Sequence, residues 1–231
     1  MRAILTSYFT SREDPQRGAC TNKDDHEKLM LKKDVERLKI PCYVFYDDLS
    51  TEFVRENSSD YMIFLPVNPP NISVNDSRFL IYREWLNSHK FDQVWFSDLF
   101  DVRINLDPKV LPKRKFYCGE HPYLLSEEEA ETTDGLYVCS LIKNIYEEIP
   151  AHVLGKPILM AGTWGGEYSF CQSFLDRFCN EIVRTTNEGF YNVNLPVFNV
   201  LAHRENYYGR FPLNSEFRKY QYDAPAVFIH K

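Results

Sequence analysis

No run in this 231-residue sequence approaches the ~18 consecutive apolar residues that a membrane-crossing helix needs, so no membrane span is expected. Positive charge is not in excess either. Against 27 Lys and Arg stand 33 Asp and Glu, with the signs interspersed, which leaves no basic patch for a nucleic-acid backbone. Glycine is sparse at 9 residues, and neither G-x-G-x-x-G nor G-x-x-x-x-G-K-[ST] occurs, which removes the dinucleotide and P-loop readings. The six cysteines never fall in C-x-x-C spacing and several sit in apolar surroundings, so reduced core thiols are expected rather than zinc ligands or disulfides. The first ten residues are too polar and too short for a signal-peptide core. A cytoplasmic location is the expectation, and the Asn-x-Ser sequons at Asn57, Asn71 and Asn75 are then coincidental.

What is present is enough apolar material for a sizeable core. With 44% hydrophobic and 15% aromatic residues, a single α/β domain is expected over 1–231, alone or within a longer protein. Short apolar runs at 3–9, 42–46, 61–65, 94–96 and 115–119 read as strands. Periodic segments at 24–38 and 78–88 read as helices, the second capped by Asn75-Asp76-Ser77. Prolines 66, 69 and 70 predict a loop-rich stretch between 50 and 74. The alternation predicts a mixed or parallel sheet flanked by crossover helices, the Rossmann-like α/β class. Further on, an acidic stretch at 126–131 reads as a solvated turn. A short helix is expected at 138–149, a long one carrying Phe170, Phe174, Leu175, Phe178 and Ile182 after residue 167, another at 195–203, and a final strand at 226–231.

The chemistry concentrates where the strand Val94-Trp95-Phe96 stops at two carboxylates, Asp98 and Asp101. Acids at the carboxyl end of a buried strand open onto the crevice where α/β sheets bind ligands, and hard oxygen donors there suit Mg²⁺ or Mn²⁺ carrying a phosphate; Asp is also a common turn residue. The first strand ends in Thr6-Ser7-Tyr8-Phe9-Thr10, a hydroxyl and aromatic cluster suited to a nucleoside or to an ordinary strand end. Asp47 follows the second strand, where an acid either accepts a hydrogen bond from a base ring or sits in a solvated turn. Arg78 lies in the first turn of its helix, where a cation opposes the macrodipole, so it is expected to reach an anion or an acid. The stretch 157–166 reads as a strand opening into a glycine turn, with Gly162 and Gly165 letting a ligand approach the backbone and Trp164 offering a flat face to a sugar. The sequence ends in His230, a possible metal ligand, and Lys231, a possible phosphate contact.

Taken in order, these segments resemble the GT-A glycosyltransferases, which use nucleotide-diphosphate sugars; small members encoded by large DNA viruses are similar in kind. The resemblance implies a GT-A-like fold, a UDP-sugar donor, a glycan or glycoprotein acceptor, and a Mn²⁺ or Mg²⁺ ion. It implies that Asp98 and Asp101 stand for the family's D-x-D acids, here spaced Asp-x-x-Asp, and that His230 completes the metal site. Lys231 is then a phosphate contact, while Tyr8, Phe9 and Arg78 are nucleotide contacts. Gly162, Trp164 and Gly165 form a wall between donor and acceptor, and Asn194 stands where family members often carry an acid. Retention of anomeric configuration is expected, with Glu167 the candidate base should the reaction invert. Two other classes use similar parts: a metal-dependent nucleotidyltransferase, for which the loop 7–22 has only Gly18 of the glycines a triphosphate would need, and a silent sugar-nucleotide or glycan-binding module.

Overall fold

The structure is a computed structural model and describes residues 1–112, 116–125, 133–205, 207–208 and 226–230. Lys231, the acidic stretch 126–131 and residue 115 lie outside the described residues. In chain order the strands and helices are β1 (Arg2–Tyr8), β2 (Glu13–Asp14), β3 (Ala19–Cys20), α1 (Met30–Leu38), β4 (Cys42–Tyr46), α2 (Thr51–Asn57), β5 (Met62–Pro66), α3 (Val74–Leu86), β6 (Gln93–Ser97), β7 (Val102–Ile104), β8 (Phe116–Leu124), α4 (Thr133–Tyr146), β9 (Pro157–Glu167), α5 (Tyr168–Asn187), α6 (Asn194–Ala202), β10 (Tyr207–Tyr208) and β11 (Phe228–His230).

Among the described residues the main sheet has seven strands in the order β10-β8-β9-β6-β1-β4-β5. β1 pairs in parallel with β4 and β6, β4 with β5, and β8 with β10, while β9 runs antiparallel between β6 and β8. The expected mixed α/β sheet flanked by helices is therefore what forms. Alternation along β6 sends Phe96 to one face and Trp95 to the other. On the first face α3, α5 and α6 pack Phe79, Phe174, Phe178 and Phe198 around Trp164; on the second, α1 and α2 pack Val35 and Phe53 beside Tyr8 and Phe228. All five residues of β6 are buried, as a strand covered on both faces requires. β11 lies outside the main sheet and pairs antiparallel with β7, and β2 with β3 forms a small hairpin.

Local chemistry explains where the elements depart from expectation. α1 starts at Met30 rather than near residue 24 because Asp24 adopts a left-handed φ of 55° and a short 3₁₀ turn intervenes at His26–Lys28. Ser50 caps an unexpected helix, α2, by accepting from Phe53 N at 3.1 Å, and Ser73, not Asn75 to Ser77, caps α3 through Asp76 N at 3.1 Å. Phe170 stays 52% exposed, one position off the buried stripe that includes Cys171, Phe174 and Phe178. α6 docks on β9 through Asn199, whose side chain both accepts from Leu159 N at 2.7 Å and donates to Leu159 O at 3.0 Å.

The largest correction concerns 157–166. β9 is one continuous strand of 11 residues, paired on both sides, and contains no glycine turn. Gly165 is there because its neighbours leave no room: a Cβ would stand 2.8 Å from Trp95 Cα and 2.5 Å from the Val94 carbonyl oxygen.

At the end of α6 the His203 ring meets the Pro157 carbonyl oxygen, Nε2 to O 2.9 Å. Burial pushes this imidazole's pKa down from 6.5 to about 4, with the Pro157 carbonyl opposing only part of the effect. Between those values the unfolded chain binds a proton that the folded one refuses, so stability is full above pH 6.5 and falls as pH drops toward 4. After solvent screening of a partly exposed ring the loss is about 2 kcal/mol. Melts of wild type and His203→Gln between pH 7 and pH 4 test this: the variant is expected to lose less, and parallel curves would refute it.

Candidate functional site

Backbone pairing builds the site. Asp98 N donates to the Gly162 carbonyl oxygen at 2.8 Å, which carries the β6 to β9 ladder one residue past β6 and fixes the first acid at the strand's carboxyl end. The chain bends through buried Leu99, delivers Asp101, and enters β7. There β11 pairs so that His230 stands opposite Val102, the residue after Asp101. The three side chains meet: His230 Nε2 lies 3.5 Å from Asp98 Oδ2 and 3.6 Å from Asp101 Oδ1, and one donor atom from each falls within 4.8 Å of the others. His230 is buried, and its Nδ1 lies 3.4 Å from Thr163 Oγ1, which orients the ring.

Charge in this cluster is held in opposition. Arg78, from the first turns of α3, ion-pairs with Asp98 Oδ1, so the cation reaches the acid its helix position called for. Burial works against the Arg78 charge, and Asp98 together with Tyr82 and Asp101 outweighs it, so the guanidinium pKa ends up raised. Its Nε is buried without a partner among the described residues. Burial, with the neighbouring charge of Asp98 second, pushes the Asp101 carboxyl above the usual carboxylate range, against the pull of His230, Arg17 and Arg78. Gly162 makes the crowding possible: a Cβ there would overlap Asp98 Oδ2 and come within 2.8 Å of His230 Cε1.

The cluster lies in a cleft of about 790 Å³. Ser7, Phe9, Leu99 and Phe100 line it with the acids; the β2–β3 hairpin contributes Asp14, Pro15, Gln16 and Arg17; α3 and α6 contribute Asn75, Arg78, Asn194 and Leu195; and His121, Tyr137, Ile158 and Met160 line the remainder. Of the residues singled out from sequence, Phe9, Arg78, Asp98, Asp101, Gly162, Asn194 and His230 come together here.

The others stand elsewhere. Trp164 is fully buried, stacked at 3.9 Å on Phe96, and has no face to offer a sugar; Gly165 is spent on strand contact. Tyr8 points into the α1 and α2 side of the core, where its hydroxyl donates to the Asn22 carbonyl oxygen at 2.7 Å and accepts from Asp25 N at 3.0 Å, so it cannot stack on a base. Thr6 is fully buried in the centre of the sheet. Asp47 braces the turn after β1, accepting from Thr10 N at 2.8 Å and Ser11 N at 3.3 Å, and faces a separate small pocket. Glu167 pairs in register with Gln93 at the opposite end of β6 from Asp98, about 17 Å along the strand, because β9 is antiparallel. It cannot be a base in this cleft.

Arg17, His121, Tyr137 and Met160 were not singled out from the sequence. The run Asp14-Pro15-Gln16-Arg17-Gly18 did carry a signal. It forms a tight turn with Arg17 N and Gly18 N both donating to the Asp14 carbonyl oxygen and Gly18 at φ 63°, and so sets the guanidinium of Arg17 5.9 Å from the Phe100 ring centre. His121 and Met160 come from strands that meet only in the sheet, and nothing local marks them.

No protein-family model matches the chain, and no curated protein sequence does. Among solved structures it is similar to the glycosyltransferase GlyE of Streptococcus pneumoniae TIGR4, at a TM-score of 0.49 and 10% sequence identity, over 90% of this chain and 44% of that one. The chain thus spans less than half the length of that protein. No helix among the described residues is long and apolar enough to cross a membrane.

Proposed function

We propose that this chain is a GT-A-type glycosyltransferase that moves a sugar from a nucleotide-diphosphate donor, a UDP-sugar, to a hydroxyl of a glycan or glycoprotein, with a divalent cation and with retention of configuration. The observation that carries the reading is the meeting of Asp98, Asp101 and His230 at the carboxyl end of β6, in a cleft of about 790 Å³, a volume that suits a nucleotide sugar. Two carboxylates and an imidazole are a fitting donor set for Mn²⁺ or Mg²⁺, and the nitrogen favours Mn²⁺. When bound, such an ion neutralises charge on the diphosphate as the anomeric bond breaks.

The chain's own groups then have distinct tasks. Arg78 holds Asp98 by Oδ1, leaving Oδ2 toward Asp101 and His230. Thr163 sets the His230 ring, and Gly162 keeps the space open. Phe9 and the hairpin residues Gln16 and Arg17 offer surface for the nucleotide. Retention is favoured by the acids available: the described carboxylates lining the cleft are Asp98, Asp101 and Asp14, and Asp14 already accepts from Gln16 N at 2.9 Å and Asn75 Nδ2 at 3.1 Å. With Asp14 so engaged, and no other described carboxylate in the cleft beside the proposed metal ligands, the acceptor hydroxyl passes its proton to the departing phosphate oxygen on the same face.

Incubation with UDP-glucose, UDP-galactose and UDP-xylose in Mn²⁺ should release UDP, and proton NMR of the first glycoside formed should show the donor's anomeric configuration. A product of opposite configuration would refute retention. Pyrophosphate release from UTP and a sugar phosphate would assign a nucleotidyltransferase, and binding without UDP release to any acceptor a silent module.

A further inference from the structure

One wall of the cleft is built around a buried carboxylate that touches none of the acids just described. Asp76, in the first turn of α3, is 1% exposed. Its Oδ2 accepts from Val193 N at 3.0 Å; its Oδ1 accepts from Asn194 N at 2.7 Å and from Asn194 Nδ2 at 2.9 Å. The remaining hydrogen of the Asn194 amide goes to Asn192 Oδ1 at 3.1 Å. That oxygen is presented by a residue held at a left-handed φ of 57°, a conformation asparagine tolerates, and Asn75 Nδ2 also approaches it at 3.4 Å. Both hydrogens of the Asn194 side chain are thereby committed to protein acceptors. A flipped amide would put its oxygen 2.9 Å from a carboxylate oxygen, acceptor against acceptor, so the orientation is fixed by the network. Asn194 lines the cleft, and among the described residues nothing bonds or seals off its Oδ1.

We propose that Asp76 is a positioning residue that turns Asn194 so that only its carbonyl oxygen serves the cleft, making this wall a hydrogen-bond acceptor for a hydroxyl of the bound sugar. The inference rests on the glycosyltransferase reading for its ligand but on the amide network for its direction. An asparagine free to rotate would take either a donor or an acceptor from the ligand. Held in this way, Asn194 selects a sugar carrying a hydroxyl at that point and rejects a deoxy or O-methyl sugar, because the carbonyl would be left unpaired in a desolvated wall.

The test is a double-mutant cycle on affinity, read by calorimetry in Mn²⁺ with whichever of UDP-glucose, UDP-galactose or UDP-xylose binds the wild type most tightly. Asp76→Asn sets an N–H₂ against donors, and Asn194→Ala removes the acceptor; each is expected to weaken binding about tenfold. If Asp76 acts through Asn194, the double variant also loses only about tenfold. A loss of about a hundredfold, the product of the two, would mean that Asp76 is merely structural and would overturn the inference while leaving the transferase reading intact. Failure of the wild type to bind any of the three would overturn both. A ligand-free readout stands even if Asp76→Asn folds poorly: in wild-type protein the Asn194 side-chain amide pair should exchange slowly with solvent, and exchange at the rate of an exposed asparagine would refute the network.

Discussion

Asp101→Ala is expected to cut sugar-nucleotide turnover by about 10³-fold or more, the several kcal/mol that a metal-held leaving group is worth, without loss of the fold. The side chain extends into the cleft from a bend between β6 and β7, and no described hydrogen bond of the sheet depends on it. Its removal takes away one of three donor atoms gathered within 4.8 Å, and an ion left with Asp98 and His230 would be held weakly. The same substitution should raise the melting temperature of the metal-free protein. Burial and the charge of Asp98 both disfavour the ionised Asp101, so the folded chain is relieved by its loss. Opposite signs for activity and apo stability mark a residue kept for chemistry. UDP release and thermal melts, each with Mn²⁺ and with EDTA, check both. An Asp101→Ala protein that turns over normally, or whose melting point still rises with Mn²⁺ as the wild type's should, would remove Asp101 from the site.

Gly162→Ala should be nearly as damaging to function through a single methyl group. The added carbon would overlap Asp98 Oδ2 and crowd His230 Cε1, and both are ends of side chains, so the carboxylate and the ring give way and the backbone keeps its place. The expected cost in stability is about 1–3 kcal/mol, and Mn²⁺ affinity should fall about 100-fold as the donors leave their positions. Gly165→Ala makes the contrast. Its Cβ meets the backbone of Val94 and Trp95, which cannot move without separating β6 from β9, so its loss should appear first in the melting temperature. Titration of Mn²⁺ followed by electron paramagnetic resonance separates the two. Wild-type affinity in Gly162→Ala would show that the donors do not need the cleared space.

How far the sequence could be read depended on whether a residue's role is set by its neighbours along the chain. Asp98 and Asp101 could be found because the apolar run before them ends abruptly, and Arg78 because a cation at a helix amino end needs an outside reason. The strands and helices of the central sheet were legible from periodicity. Trp164 and Gly165 were not, and Gly162 was found for the wrong reason, because glycines inside a paired strand look like a turn until the two flanking strands are known; what governs the glycines is distance to Asp98 and to Trp95 across the ladder. Glu167 failed for a related reason, since the sequence does not state that β9 runs antiparallel and carries that acid to the wrong end. Tyr8 and Thr6 belong to a strand legible as a short apolar run, yet both faces of that strand are covered, so neither phase of it points to a ligand. Asp76 was read from sequence only as part of a helix cap, a role that Ser73 takes instead. Its partners, Val193 and Asn194, lie more than a hundred residues on.

The pairing of β11 with β7 has a consequence for how the protein comes into being. It sets His230 against Val102, so the third donor reaches the two acids only across a separation of more than half the given sequence, once the intervening segments have condensed. Closing so long a loop is entropically slow, and contacts of this separation consolidate late. A nascent or truncated chain can hold both acids and most of the sheet and still lack the trio. An ion held by this trio, as proposed, would stabilise only chains in which β11 has docked on β7, by an amount that grows with its concentration.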